Sequence, residues 1–166
     1  MSEALVIRTA DQDDITTIGY LAHEVWPVTY KEILGPEQLA YMLQIFYSPQ
    51  ALEQQILKLK HQFIIAEIDL EEVGFASFSK VSPAIWKLHK LYVLPGLQGK
   101  GIGRALVDMV EEEVRTNNGA HLILNVNKNN KALHFYESLG FVIEKNELID
   151  IGNGFVMDDY VLGKDV

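Results

Sequence analysis

The stretch covering residues 88–107 constrains the fold more than any other, because it passes from a strand pattern through a glycine-rich loop into a helix pattern. Strand formers at residues 91–93 give way to Pro95 and Gly96, and an apolar helical pattern follows from Ala105. Three glycines lie between them, and their backbone N–H groups can approach an anion without interference from side chains. A helix N-terminus adds unpaired donors and the positive end of the helix dipole. The stretch therefore predicts a phosphate-binding loop.

Two common phosphate-binding patterns do not fit this loop. The pattern G-x-G-x-x-G, started at Gly99, needs a glycine where Arg104 stands, and the P-loop pattern lacks its first glycine and its hydroxyl residue. The spacing that does fit is Gln98-x-x-Gly101-x-Gly103. Taken alone, it also matches a glycine-rich strand-to-helix turn that binds nothing.

The composition limits the classes of protein to consider. The chain has 166 residues, of which 48% are hydrophobic and 22% charged, and these values predict one globular domain over residues 1–166. No apolar run approaches the ~18 residues of a membrane helix, and residues 1–10 lack the pattern of a signal peptide. The absence of cysteine excludes disulfides and thiolate chemistry and makes the cytoplasm the expected compartment.

The charge and the histidines limit the partners. A formal net charge of −9 argues against binding to nucleic acids, because that mode needs a basic surface. Acidity suits polycations such as polyamines, although many soluble proteins are acidic for solubility alone. The five histidines show no ligand spacing such as H-x-x-x-H, so no metal site is expected.

The remaining hydrophobic patterns predict strands and helices around this loop. Strands are expected at residues 4–8, 62–68, 73–81, 85–94, 122–126, 142–149 and 154–162. Helices are expected from Ile15, from Pro36, after the capping residue Ser48, and from the glycine loop to a left-handed stop at residues 117–119. A helix connects strands 85–94 and 122–126, so these two should lie parallel beside an antiparallel meander.

A second motif lies in residues 125–141, where a strand end leads through polar residues into a short helix. Five residues match the spacing N-x-x-A-x-x-x-Y-x-x-x-G-F: Asn129, Ala132, Tyr136, Gly140 and Phe141. Together with the glycine loop, this motif resembles the cofactor motifs of the GCN5-related N-acetyltransferases (GNAT), and the flanks are similar to PaiA-type spermidine/spermine acetyltransferases. The resemblance implies an α/β (α+β) fold: a mixed, mostly antiparallel sheet flanked by helices, with a splayed parallel strand pair at the cofactor site.

The resemblance also implies acetyl-CoA as the cofactor. Backbone groups on the splayed strand would hold pantetheine and polarise the acetyl oxygen, and the glycine loop would bind the pyrophosphate. The cofactor-binding residues implied in this way are Leu91, Tyr92, Val93, Gln98, Gly99, Lys100, Gly101, Ile102, Gly103, Arg104, Asn129, Ala132 and Tyr136.

By the same resemblance, the Tyr136 phenol is the proton donor to the departing thiolate. An alkylammonium with a pKa of ~10 must lose a proton before it attacks, so a base is also needed. Many relatives carry a glutamate where this chain has Lys87, which leaves His89 or a chain of water molecules for that role. Trp26 and Tyr30 are either core aromatics or walls of the acceptor pocket.

The predicted function is transfer of an acetyl group from acetyl-CoA to a small-molecule primary amine, with a polyamine such as spermidine or spermine as the leading acceptor. A protein N-terminal or lysine amine, an amino sugar and an amino acid stay open as alternatives. A non-catalytic acyl-CoA sensor is another, favoured by Lys87 and opposed by Tyr136. Relatives often pair, so a homodimer is a further expectation.

Overall fold

The computed structural model describes residues 4–97 and 99–166. Its strands are β1 (Leu5–Ala10), β2 (Gln62–Ile68), β3 (Glu71–Lys80), β4 (Ile85–Val93), β5 (His121–Asn127), β6 (Val142–Gly152) and β7 (Phe155–Asp165). Its helices are α1 (Ile15–Thr29), α2 (Pro36–Tyr47), α3 (Pro49–Leu57), α4 (Ile102–Thr116) and α5 (Ala132–Ser138), with a 3-10 turn at Gln12–Asp14. Within these described residues, none of the helices has the length and apolar character needed to cross a membrane.

The strands form one sheet in the order β1-β2-β3-β4-β5-β7-β6. The first four pair as an antiparallel meander, and β6 and β7 form a hairpin that joins the sheet through β7. Strands β4 and β5 are parallel, because α4 carries the chain back across the sheet between them. The predicted fold class and the predicted parallel pair are therefore confirmed.

The parallel pair is short. Its register runs from Ile85 opposite His121 to Leu88 opposite Leu124. In the part of the chain that the structure describes, no β5 residue pairs with β4 beyond that point, whereas β3 stays paired with β4 as far as Val93. The two strands thus separate at their C-terminal halves and leave a gap inside the sheet.

Each face of the sheet has its own core. On one face, α4 buries the stripe predicted from its helical spacing, which includes Leu106, Val110 and Val114. The helix ends at Thr116, and Asn118, two residues later, has a left-handed φ of 64°, as predicted. On the other face, α1, α2 and α3 cover a cluster that includes Phe75.

Two helices end at positions that their sequence patterns do not define. The first helix continues through Pro27 to Thr29, and the Tyr30 N–H donates to the Trp26 carbonyl at 2.9 Å, which extends the last turn. Helix α3 starts as predicted, with Ser48 accepting from a backbone N–H, but it ends at Leu57. Leu59 continues the apolar spacing of this helix, yet it lies beyond the helix end and its side chain is exposed.

Candidate active site

A cleft opens where β4 and β5 separate, and its volume is about 1560 Å³. Its walls come from the end of α1 with the loop after it, α2, the glycine loop, the start of α5 and the β6–β7 hairpin. Pockets that bind drug-sized ligands are typically ~300–1,000 Å³, so this cleft has room for more than one. Residues of the glycine loop and of the second motif, which are separate in the sequence, both line this cleft.

The glycine loop has the backbone conformation that the sequence predicts. Gly99 and Gly101 have φ angles of 84° and 79°, and an added Cβ at either position would meet nothing within 4 Å. Gly101 caps α4, whose first backbone hydrogen bond runs from the Ala105 N–H to the Gly101 carbonyl at 3.0 Å. The N–H groups of the first helical turn have no carbonyl one turn earlier to bond. They point out of the helix start beside open space, as a phosphate site requires.

Cationic and amide side chains surround this helix start. Arg104 and Lys131 are exposed and line the cleft, and Lys100 is exposed next to the loop. Asn129 also lines it, and its own N–H is bonded to the Asn127 side chain at 2.9 Å. The predicted ligand Gln98 lies outside the described residues.

Gly103 lets α4 approach α5 closely at the cleft, and Ala132 is the first residue of α5. A Cβ on Gly103 would lie 3.3 Å from the ring of Phe135, so a larger residue there would push α4 away from α5. Ala132 begins α5, and its N–H donates to the Asn130 side chain at 2.9 Å. Ile102, in contrast, turns its side chain into the core, so its contribution to the loop is its backbone.

The three predicted residues on β4 are not equivalent. The Leu94 N–H donates to the Val73 carbonyl at 2.8 Å, so Tyr92, two residues earlier, also turns its main-chain groups toward β3. Leu91 and Val93 turn theirs toward the gap. The orientation of Leu91 and Val93 therefore suits the backbone role expected of all three residues, whereas Tyr92 contributes its side chain.

The Tyr92 side chain joins Trp26 and Tyr30 in an aromatic cluster. The Tyr30 and Tyr92 hydroxyls are 3.0 Å apart, and the rings of Trp26 and Tyr30 are 4.6 Å apart. Burial raises the pKa of both tyrosines, so both phenols stay neutral. Trp26 and Tyr30 are buried in the core and also line the cleft, so the two roles considered for them are compatible.

Tyr136 reaches the same cleft from α5. It is 7% exposed, and its ring packs against Phe135 and Phe141 at centroid distances of 5.3 and 5.8 Å. Burial raises its pKa, with a smaller contribution from Tyr30. The phenol therefore carries its proton at neutral pH and can act as a donor.

The surroundings of His89 argue against its predicted role as the base. His89 Nε2 lies 2.7 Å from Ser79 Oγ, and the ring stacks on His61 at a centroid distance of 3.9 Å. Burial lowers the pKa of His89 to about 3, and nearby positive charges add to this effect. Taking a proton from an alkylammonium with a pKa of ~10 would then be uphill by roughly 10 kcal/mol.

A bulge in β4 decides which side chains face the cleft. Trp86 and Leu88 pack on the α4 face of the sheet, and strict alternation would put Lys90 there as well. The register of β3 and β4 shifts at His89, which adds one residue to β4. As a result, Lys90 faces α2 and α3 on the cleft side.

Lys90 is a buried cation that sequence reasoning missed. It is 9% exposed, its Nζ donates to Gln55 Oε1 at 2.9 Å, and it lies 5.3 and 5.8 Å from the ring centroids of Tyr47 and Phe63. Burial lowers its pKa to about 8. The sequence offers no distinct signal for it, because Lys87 and His89 precede Lys90 in the same strand.

Asp159 is a buried carboxylate that was also missed. It is 2% exposed, lines the cleft, and accepts from Asn125 Nδ2 at 3.3 Å. The same Asn125 nitrogen donates to Glu147 at 2.9 Å. Burial raises the pKa of Asp159. Its charge and its place on the cleft wall make it a candidate for contact with an amine.

Comparison with known proteins agrees with this geometry. A family model described as an acetyltransferase (GNAT) domain matches residues 31–158, which include the glycine loop, the gap in the sheet and Tyr136. The chain belongs to this family. Its predicted class, an acetyl-CoA-dependent N-acetyltransferase, is therefore confirmed, and with it coenzyme A as the predicted cofactor.

Individual GNAT relatives extend over the whole chain. An uncharacterised N-acetyltransferase of Mycobacterium tuberculosis is 26% identical over 154 residues, which are 92% of this chain and 98% of the relative. A spermidine N(1)-acetyltransferase of Thermoplasma acidophilum is 25% identical over 160 residues, covering 93% and 96%. The crystal structure of a PaiA N-acetyltransferase from Thermoplasma acidophilum in complex with coenzyme A superposes with a TM-score of 0.85 at 24% identity, covering 98% of this chain and 99% of that one.

Proposed function

We propose that this GNAT protein transfers an acetyl group from acetyl-CoA directly to a primary amine, with Tyr136 as the general acid. One observation carries the proposal: a single cleft opens onto the glycine loop, the separated strands β4 and β5, and the buried Tyr136 phenol. Phosphate recognition, positioning of an acyl group and proton donation thus meet in one space.

The residues on the cleft fit acetyl-CoA. The backbone from Gly99 to Arg104 would hold the pyrophosphate, because its glycines leave open space and its helix start offers unpaired N–H groups. Leu91 and Val93 would pair through their backbones with the extended pantetheine arm in the gap of the sheet. Asn129 and Ala132, which line the cleft, would add contacts from the second motif. The cofactor contacts expected of Gln98 and Lys100 stay predictions from the sequence.

When bound, acetyl-CoA supplies an acetyl group on a thioester, and attack by an amine releases the coenzyme A thiol. The Tyr136 phenol holds its proton and donates a hydrogen bond toward the leaving sulfur. A thiol has a reference pKa of ~8.5, well below the raised pKa of this phenol, so complete proton transfer is uphill. Stabilisation of the sulfur by a hydrogen bond is therefore the minimum role of Tyr136.

Asp159 replaces His89 as the proposed proton acceptor for the amine. It is a buried carboxylate on the cleft wall, and burial raises its pKa toward that of an ammonium ion. Within the described residues, its hydrogen bond comes from Asn125, and no lysine or arginine forms an ion pair with it. The charge of Asp159 is therefore available to an alkylammonium, directly or through water.

A polyamine is one of the primary amines that this proposal admits. It is supported by the name of the Thermoplasma acidophilum spermidine acetyltransferase and by the net charge of −9. Cytoplasmic residence, pairing into a homodimer and a single domain over residues 1–166 stay predictions from the sequence.

Release of coenzyme A from acetyl-CoA tests the proposal. The purified protein is assayed against spermidine, spermine, diamines, amino acids, amino sugars and N-terminal peptides. Release that depends on a small amine supports the proposal, whereas release with peptides alone indicates a protein acetyltransferase. Acetyl-CoA binding without release on any amine indicates the sensor and refutes the proposal.

Replacement of Tyr136 tests the mechanism. Tyr136→Phe should lower kcat by about 10²-fold, the usual effect of one lost donor at a developing charge, with little change in coenzyme A affinity. Tyr20→Phe is the matched control, because Tyr20 lies on α1 and is 62% exposed. An unchanged kcat in Tyr136→Phe would remove the phenol from the mechanism.

A further inference from the structure

Three basic side chains line the part of the cleft beside α2 and α3, which we call the acceptor side. We call this group the cationic pocket: His61, Lys87 and Lys90. Lys87 is half-buried, and no carboxylate in the described part of the chain forms an ion pair with it. His61 Nδ1 is buried and has no hydrogen-bond partner among the described residues. The protein is acidic overall, yet this part of its cleft is locally basic.

Lys90 is the centre of this pocket. An ammonium group has three N–H donors, and Gln55 Oε1 accepts one of them. Among residues 4–97 and 99–166, no carboxylate is paired with it. A buried charge without a counter-ion is costly, and such groups cluster at functional sites. The fold nevertheless keeps Lys90 here, through the bulge at His89 that turns it toward the cleft.

We infer that the cationic pocket binds the carboxylate of the acceptor, and that the acceptor is an apolar amino acid acetylated on its α-amine. This inference rests on the proposed function and specifies its substrate. Lys90 and Lys87 supply the positive charge, and His61 supplies a further polar contact through Nδ1.

The rest of the cleft matches the other parts of such a molecule. Asp159 provides a negative charge for the amine, and the charge of Lys87 acts on both Asp159 and His89, so Lys87 lies within electrostatic range of the two sides. Apolar walls from α2 and the β6–β7 hairpin are available to the side chain: Met42, Phe46, Ile149, Ile151 and Met157. Opposite charges on the same cleft, beside an apolar surface, fit an apolar amino acid in its zwitterionic form.

The same charges disfavour a polyamine. A polyamine bound with one amine at Asp159 would bring a second ammonium group toward Lys87 and Lys90. Like charges repel, and no described carboxylate forms an ion pair with either lysine.

Matched acceptors test the inference. Leucine, methionine and phenylalanine are compared as free amino acids, as their amides and as their decarboxylated amines, with spermidine alongside. The expected kcat/KM is at least about 10-fold higher for each free amino acid than for its amide or its amine, the usual effect of one charge-assisted hydrogen bond. Binding of N-acetyl-leucine, measured by calorimetry without coenzyme A, gives a second readout.

Three lysine variants locate the effect. Lys90→Met keeps the aliphatic stem and should lower kcat/KM for amino acids by about 10- to 100-fold, and by a smaller factor for the decarboxylated amines, which lack the carboxylate. Lys87→Met tests the same pocket at a half-buried position, where folding is less at risk. Lys58→Met is the matched control, because Lys58 is exposed at the end of α3, outside the cleft lining.

The outcomes separate this inference from the proposed function. Equal or faster acetylation of the amides, the decarboxylated amines or spermidine overturns the carboxylate pocket and leaves the acetyltransferase proposal standing. If no amine is acetylated, the proposed function fails, but N-acetyl-leucine binding that Lys90→Met abolishes still supports the pocket. Absence of that binding in the unmodified protein overturns the pocket as well.

Discussion

Replacement of Gly101 by alanine has two effects that can be measured separately: it strains the backbone, and it blocks the proposed phosphate site. Its φ of 79° is left-handed, and alanine at such a position costs about 1–2 kcal/mol. For a chain of this length, each kcal/mol lowers the melting temperature by about 2–4 °C, so Gly101→Ala should melt roughly 2–8 °C lower. The added Cβ would also occupy the open space beside the helix start, where a phosphate would approach the N–H groups.

Loss of one hydrogen bond to a charged group costs about 1.5–3 kcal/mol, so Gly101→Ala should weaken acetyl-CoA binding by roughly 10- to 150-fold. Gly154→Ala is the matched control. Gly154 has a φ of 80°, an added Cβ there would also meet nothing within 4 Å, and it lies in the β6–β7 turn away from the glycine loop. Both variants should lose similar stability.

Calorimetric titration with coenzyme A and thermal unfolding of both variants complete the comparison. Only Gly101→Ala should show the loss of affinity. Equal coenzyme A affinity in the two alanine variants would refute the assignment of this backbone to the pyrophosphate, whatever the melting temperatures show.

The remaining predictions concern proton transfer and pH. Asp159→Asn should lower kcat/KM by about 10²-fold or more and flatten the acidic limb of its pH profile. An acidic limb that persists in this variant would contradict the role of Asp159 as the base. His89→Gln should leave the shape of the pH profile unchanged. Partial burial lowers the pKa of His121, but hydrogen bonds with Asp165 and Glu144, at 2.8 and 2.7 Å, outweigh it and leave the pKa raised. The stabilisation is therefore complete below the unfolded-state pKa of 6.5 and is lost as the pH rises through the raised folded-state pKa. His121→Gln should remove that decline in the free energy of unfolding, measured in denaturant from about pH 6 to about pH 9.

Features that depend on a few neighbouring residues could be predicted from the sequence. The glycine loop, the Ser48 cap and the left-handed stop at Asn118 each follow from local backbone chemistry, and each is present as expected. The parallel pair was predictable as well, because the handedness and geometry of a helical crossover leave few alternatives.

Features of the acceptor side depend on contacts between distant segments. The pairing of Lys90 with Gln55 joins β4 to α3, and it exists because a bulge at His89 reverses the side-chain alternation. A lysine in a strand gives no local sign of which face it occupies. The low pKa of His89 likewise comes from burial and stacking on His61, which no single stretch of sequence records.

The separation of β4 and β5 creates two strand edges in the interior of the protein. An exposed edge can recruit a strand from another chain, and proteins therefore protect their outer edges from such pairing. These inner edges face each other across the cleft and lie between helices and a hairpin, away from the outer edges of the sheet. A thin, flexible chain with its own amide groups can still enter. The sheet therefore keeps these inner edges for a single extended partner rather than for the edge of another sheet.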